Sequence, residues 1–277
     1  MTYHFNSALK TYRITSELPE GPTSTTNEGG YICERLVLSD NILMEASELY
    51  SNHYGFWICE DIGRGTQREG ARVKLSPRRL LEGYLFNDDY FITHVHHRVS
   101  GILMGYAFGL TAPDPTSPPA SGKKIAWITQ LVVHDEYRSQ GIAGRLIGCA
   151  MLAIQNISVF GIISSHPWAV LALMRVAGIP TPDLDLDFIS QHGAACLRAV
   201  GVPYATEDML VGSAFGKPCL DDRSDAPNLV SLALTNFHVE HGWCSRIIEF
   251  EKKRGWPLGD LPEAHEFFVV VRKAEKR

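Results

Sequence analysis

A chain of 277 residues is long enough to bury a sizeable core in one large or two small domains. With 45% hydrophobic and 21% charged residues it has the composition of a globular protein, and a formal charge of −5 with no dense Lys/Arg run argues against a nucleic-acid partner. The six cysteines (33, 59, 149, 196, 219 and 244) form no CxxC pair, the start lacks the apolar core of a leader, and no stretch approaches the roughly 20 apolar residues that span a bilayer. Reduced thiols, a cytoplasmic location (the nucleus also open) and no membrane partner are the expectations.

Residues 1–30 end in the polar run TSELPEGPTSTTNEGG and are expected to form a mobile N-terminal segment ahead of a single domain over 31–277. YICERLVLS (31–39) alternates as a strand. Asp40 is placed to cap a helix through NILMEASELYSNHYG, with Ile42, Leu43, Ala46 and Leu49 on one face and Gly55 at its end. Ser76-Pro77 starts a second helix. YFITHVHH and ILMGYAFGLT, joined by RVSG, predict a hairpin. After a Pro/Ser loop (112–124), IAWITQLVV (125–133) has the β-branched, apolar character of a strand buried on both faces. A helix follows to about Gln155, then a second buried strand, VFGIISS (159–165). PWAVLALMRVAG (167–178) is a helix with Pro in its first turn and Gly at its end. Residues 180–227 read as a helical insertion, 230–241 as a strand, 244–256 as a helix and 265–273 as a last strand. The alternation predicts a mixed α/β (α+β) class, with a central sheet flanked by helices.

The most informative stretch is HDEYRSQGIAGRLIG (134–148), between the first buried strand and its helix. It lacks the Lys-Ser/Thr of a P-loop, and its first glycine stands too far from the strand for a dinucleotide fingerprint. What remains is Arg138-x-x-Gly141-x-Ala143 at a helix start. Unpaired amides and the helix dipole there make an anion site, and small residues leave room for a diphosphate.

LVVHDEYRSQGIAGRLI resembles motif A of the GNAT superfamily of acyl-CoA-dependent N-acyltransferases, whose pattern [Q/R]xxGx[G/A] is matched by Arg138, Gly141 and Ala143. Leu131-Val132-Val133 supply the upstream apolar strand and Leu146 the following leucine. The likeness is clear over about 90–180, and the arrangement as a whole is similar to fungal GNAT-like proteins. It implies the acyl-CoA N-acyltransferase fold, with acetyl-CoA or another acyl-CoA as co-substrate. It also implies strands that splay at a bulge near Leu131–Val133, which would pair with pantetheine. The amides of Ser139, Gln140, Gly141, Ile142, Ala143 and Gly144 would hold the pyrophosphate.

The family's usual base and acid are missing. Trp127 and Thr129 stand where a Glu is common, and Met174 where a Tyr is common. Candidate replacements are His166, which can carry a proton or simply cap its helix, Tyr204, and Glu240 on the expected late strand with His238, His241 facing the other way. Ser164 and Ser165 are candidates for pantetheine or for local backbone bonds. Tyr54, Phe56 and Trp57 can line the acceptor pocket or belong to the core, and Thr129 is counted with the substrate side. His94 and His96 share a strand face, but nothing at suitable spacing completes a metal site, so an exposed hairpin end and no metal are expected.

The reading is transfer of an acetyl or related acyl group to an amine in a ternary complex without an acyl-enzyme. A small-molecule amine is favoured slightly over a protein lysine or N-terminus, and a non-catalytic acyl-CoA-binding regulatory module is the alternative of another class.

Overall fold

The computed structural model describes residues 10–15, 32–36, 39–58, 68–86, 89–97, 100–217, 228–240 and 242–274. Among them a nine-stranded sheet runs through the molecule in the order β2-β1-β3-β4-β5-β6-β9-β8-β7. Its strands are β1 (Lys10–Thr15), β2 (Ile32–Leu36), β3 (Tyr90–His96), β4 (Leu103–Pro113), β5 (Lys124–Val133), β6 (Ile157–Ser164), β7 (Leu210–Val211), β8 (Leu232–Leu234) and β9 (His265–Arg272). The β1–β3 and β5–β6 pairs are parallel and the others antiparallel, so the class is mixed α/β as expected. Residues 10–15, counted above with a mobile segment, are a strand inside the sheet; the rest of 1–30, His241 and the end of the 180–227 segment lie outside the described residues.

Among the described residues six α-helices accompany the sheet: α1 (Asp40–His53), α2 (Pro77–Tyr84), α3 (Ile142–Ala153), α4 (Pro167–Ala177), α5 (Leu186–Val200) and α6 (Gly242–Lys252). Their starts follow from polar side chains that take up first-turn amides. Ser39, rather than Asp40, caps α1; Ser76 caps α2, with Pro77 following; and Asp185 Oδ1 accepts from the Phe188 amide at 2.8 Å to start α5. Gly178 and Gly201, both left-handed, end α4 and α5. Helices α3 and α4 pack side by side, α3 over β3 and β4 and α4 over β6 and β9. Helices α1 and α5 both lean on β4 and β5.

The core is built around Trp127 on β5. Its register partner is Gly161 on β6, and a Cβ there would come within 2.1 Å of the indole ring. The glycine is therefore a space requirement, and the space is filled by one fully buried Trp that also meets the Phe268 ring at 5.7 Å. The described part of segment 180–227, residues 180–217, is less of an appendage than the sequence suggests. Phe188, Ile189, Cys196, Leu197 and Val200 of α5 join the main core, and β7 extends the sheet.

Two further expectations are corrected. Among the described residues of 230–241 only Leu232–Leu234 is a strand; His238 and Glu240 follow in irregular backbone, where Asn236 has a positive φ. The pair His94–His96 is not an exposed hairpin end. His94 is buried, its Nδ1 lies 3.3 Å from that of His96, and His96 Nε2 reaches Glu45 at 2.9 Å. Among the described residues no cluster of three or more His, Cys, Asp or Glu side chains could hold a metal, and no helix is long and apolar enough to cross a membrane. Cys149, Cys196 and Cys244 are buried thiols, and burial pushes the last two up to about 12 and about 11.

Candidate functional site

The site begins where two parallel strands part. β5 and β6 stay paired from Lys124 to Ile128 and from Ile157 to Ile162; beyond that the ladder stops. The divergence has a local cause. Between Phe108 and Gly109 the β4–β5 register slips by one, leaving Thr129 as the extra residue of a bulge. The bulge lies at Thr129, two residues before the Leu131–Val133 stretch where it was expected. Leu131, Val132 and Val133 then keep β4 as their ladder partner, opposite Ala107, Tyr106 and Gly105.

The parted strands open a cleft of about 720 Å³. Leu131, Val132 and Val133 line one side, and two helix starts form another: Gly141 to Arg145 of α3, and His166 to Ala169 of α4. Those two starts differ. The His166 ring Nδ1 accepts the Trp168 amide at 3.3 Å, so α4 is capped. α3 has Gly141 at its cap position with φ 78° and, unlike α1, α2, α4 and α5, no side chain bonded to its first-turn amides. A Cβ built on Gly141 would meet nothing within 4 Å, so left-handed backbone, not crowding, is what asks for glycine. Ser139 beside it is left-handed as well, at φ 62°. Left-handed residues two apart at an uncapped helix start are the backbone pattern from which anion nests are built.

Charge agrees with that geometry. Arg138, Arg145, Arg175 and Arg254 line the cleft against two acids, Glu240 and Glu251. Arg138 also ties the loop down. Its Nε donates to Val133 O at 3.2 Å, it donates to His53 O, and it pairs with Asp135 at 2.7 Å. The Gln140 side chain turns back, its Nε2 donating to Glu136 O at 3.1 Å, so only the backbone amide of this residue is left for the loop.

On the far side of the parting lies a second space, a chamber of about 150 Å³. It meets the cleft at three shared lining residues, Tyr54, Leu131 and Ser164. Tyr50 and Tyr54 come from α1 and its end, stacked at 4.2 Å; Tyr84 from α2 and Tyr204 from the turn after α5 lie 5.7 Å apart. Tyr204 is fixed from behind, its hydroxyl accepting from Trp127 Nε1 at 3.1 Å. Burial raises the pKa of all four phenols, so they stay protonated at neutral pH. Thr129 is in the wall and donates to Tyr84 O at 3.4 Å.

The remaining lining residue of note is Glu266, a carboxylate 8% exposed on β9. Burial raises its pKa, while the Thr235 hydroxyl and the Ser165 amide pull the other way. Glu266 is the residue that sequence reasoning missed. Its signal was a charge inside the apolar strand HEFFVVVR, where an unpaired carboxylate needs a reason.

Of the other candidates, Ser165 is buried in the cleft wall and Ser164 Oγ accepts from the His166 amide at 3.1 Å. His166 stands in the cleft and Tyr204 in the chamber, so the chain does not bring these two into one space. Glu240 is exposed at the cleft, and its amide donates to Phe56 O at 2.9 Å. Trp57 lines neither space; it packs edge-on against Phe237 at 5.3 Å, behind the chamber wall.

No family model matches the sequence, and no curated protein matches it. Among solved structures, part of the chain is similar to Arabidopsis thaliana NAA60 in complex with a bisubstrate analogue, with 15% identity and a TM-score of 0.29, over 37% of this chain and 68% of that one. Part is similar to the ribosomal-protein-alanine N-acetyltransferase from Brucella melitensis biovar Abortus 2308, with 20% identity and a TM-score of 0.27, over 41% and 66%. The chain spans about two thirds of the length of each.

Proposed function

We propose that the chain is an acyl-CoA-dependent N-acyltransferase, with acetyl-CoA the first candidate donor and an amine the acceptor. The observation that carries the reading is the uncapped start of α3, opening on a long cleft that ends where β5 and β6 part. An anion held by the amides of Ser139 to Gly144 and by the nearby arginines would lie at one end of that cleft. A thin flexible arm along Leu131, Val132 and Val133 would bring its tip to Tyr54, Leu131 and Ser164. A diphosphate on a long arm ending in a thioester has that shape, and the acceptor amine would come through the chamber on the other side. The chain's part is then positioning and polarisation, the largest resources a direct transfer can use. Tyr204, kept protonated, is the candidate donor to the leaving sulfur. The small chamber favours a narrow amine head and supports a small-molecule acceptor over a folded protein surface.

The test is calorimetric titration with acetyl-CoA of the wild type and of Gly141→Glu, with circular dichroism as the folding control. The variant puts a negative charge and a side chain where the pyrophosphate would lie. Tight wild-type binding and at least about 100-fold weaker binding by the variant, about 2.7 kcal/mol, is the expected result. A folded wild type that does not bind acetyl-CoA removes the assignment.

A further inference from the structure

The acceptor side of the same site can be read further, and this step rests on the acyl-transfer reading. Among the described residues lining the chamber, Glu266 is the sole charged group. The groups facing it are Tyr50 and Tyr54 from α1 and its end, Tyr84 from α2, Thr129 and Gln130 from β5, Ser164 from β6, the Ser165 amide, Tyr204 after α5, and Thr235 and Phe237 after β8. None is a cation. A buried carboxylate with no cation beside it is costly unless a charged ligand supplies one. Four tyrosine rings and Phe237 surround the same space, and ring faces attract ammonium groups.

We propose that the chamber takes the head of a primary alkylammonium, its charge against Glu266 and its carbons against the rings of Tyr50, Tyr54, Tyr84 and Tyr204, and that Glu266 receives the ammonium proton before acyl transfer. The step balances. One N–H proton passes to the Glu266 carboxylate, and the freed lone pair attacks the thioester carbonyl carbon. A C–N bond forms, the C–S bond breaks, and the sulfur leaves with its electron pair. A second nitrogen proton, relayed through Tyr204, completes the thiol, and Glu266 returns its proton to solvent. The phenols cannot take the first proton, because burial holds their pKa far above neutral. An anionic acceptor would bring like charge to Glu266, and a neutral one would leave the carboxylate unmatched.

The experiment uses the full chain without acyl-CoA. n-Butylammonium, 1-butanol and butyrate are titrated calorimetrically into the wild type, Glu266→Gln and Tyr84→Leu. The expected wild-type preference for the ammonium over either isostere is at least tenfold. Glu266→Gln should remove it and Tyr84→Leu should weaken it several-fold, since the second variant keeps the carboxylate and loses a ring. Ammonium affinity of the wild type should fall as pH is lowered and Glu266 is protonated; in Glu266→Gln it should be flat. Equal affinity for ammonium and alcohol, or an ammonium preference that survives Glu266→Gln, overturns the proposal. Acetyl-CoA is titrated into the same proteins. Its failure to bind while the ammonium preference holds strikes the donor assignment and supports the chamber; the reverse result strikes the chamber. With both bound, kcat/KM for n-butylamine should drop about 100-fold or more in Glu266→Gln, with loss of the acid limb of the pH profile.

Discussion

Glu266 sets a conflict between stability and use that can be measured at one side chain. Its carboxyl is buried on β9, and burial raises its pKa above the ordinary 4.5. An acid whose folded pKa exceeds its unfolded one binds more protons folded than unfolded between the two values. Stability contributed by the protonated form is therefore present below pH 4.5 and lost as pH rises toward the folded pKa. Glu266→Gln keeps the shape and never ionises. Its melting temperature should match the wild type near pH 4 and exceed it increasingly toward neutral pH, by differential scanning calorimetry without ligand. A variant less stable than wild type at pH 7 would mean that the ionised carboxylate is well paired in the free protein. Such a residue is hard to single out from the chain alone, since the desolvation that defines it comes from α1, α2, β5, β6 and the turn after α5 at once.

At the scale of elements, the two helix starts on the cleft show what a local pattern can and cannot tell. The strand, loop, helix, strand, helix order from 125 to 178 was legible because each signal is short: a β-branched run, Gly141-x-Ala143, Pro167 opening a helix and Gly178 closing it. The parting of β5 from β6 was legible through the resemblance, and its bulge missed by two residues because a register slip depends on the partner strand β4. The sequence allows His166 to be a helix cap or a proton carrier. The geometry gives it the first role, since its Nδ1 takes the Trp168 amide while its ring meets the indole at 5.6 Å. Asn can make the same cap, so the two roles separate. His166→Asn should keep the unfolding midpoint in urea, whereas His166→Ala should lose about 1 kcal/mol. If both variants turn over acyl-CoA equally slowly although only one is destabilised, His166 acts chemically in the cleft as well. The late strand over 230–241 was over-read for a related reason. Its alternation continues past Leu234, but the sheet offers partners only to Leu232–Leu234, and positive φ at Asn236 bends the chain toward the chamber.

Over the whole molecule, the question is whether 180–217 is an attachment or part of the folding unit. The sequence pattern suggested an insertion because it has no place in the motif-bearing core. In the fold, α5 buries Leu197 and Cys196 with Trp127, Phe268 and the strands under them in one cluster. Gly193 lets the Phe268 ring approach; a Cβ there would lie 2.8 Å from it. At the helix's two ends, Arg272 of β9 pairs with Asp185 at 3.0 Å and Arg198 grips Glu207 at 2.5 Å, both exposed and worth little next to that burial. The same helix delivers the turn that places Tyr204 on Trp127, so the chamber wall and the core share one support. We therefore expect one cooperative unfolding transition. Leu197→Ala should cost about 2–5 kcal/mol, comparable with Leu173→Ala on α4, and both should move the entire transition when followed in urea by tryptophan fluorescence and far-ultraviolet dichroism. If α5 were an independent attachment, Leu197→Ala would split the curve: dichroism would show an early partial loss while the fluorescence of buried Trp127 kept the wild-type midpoint.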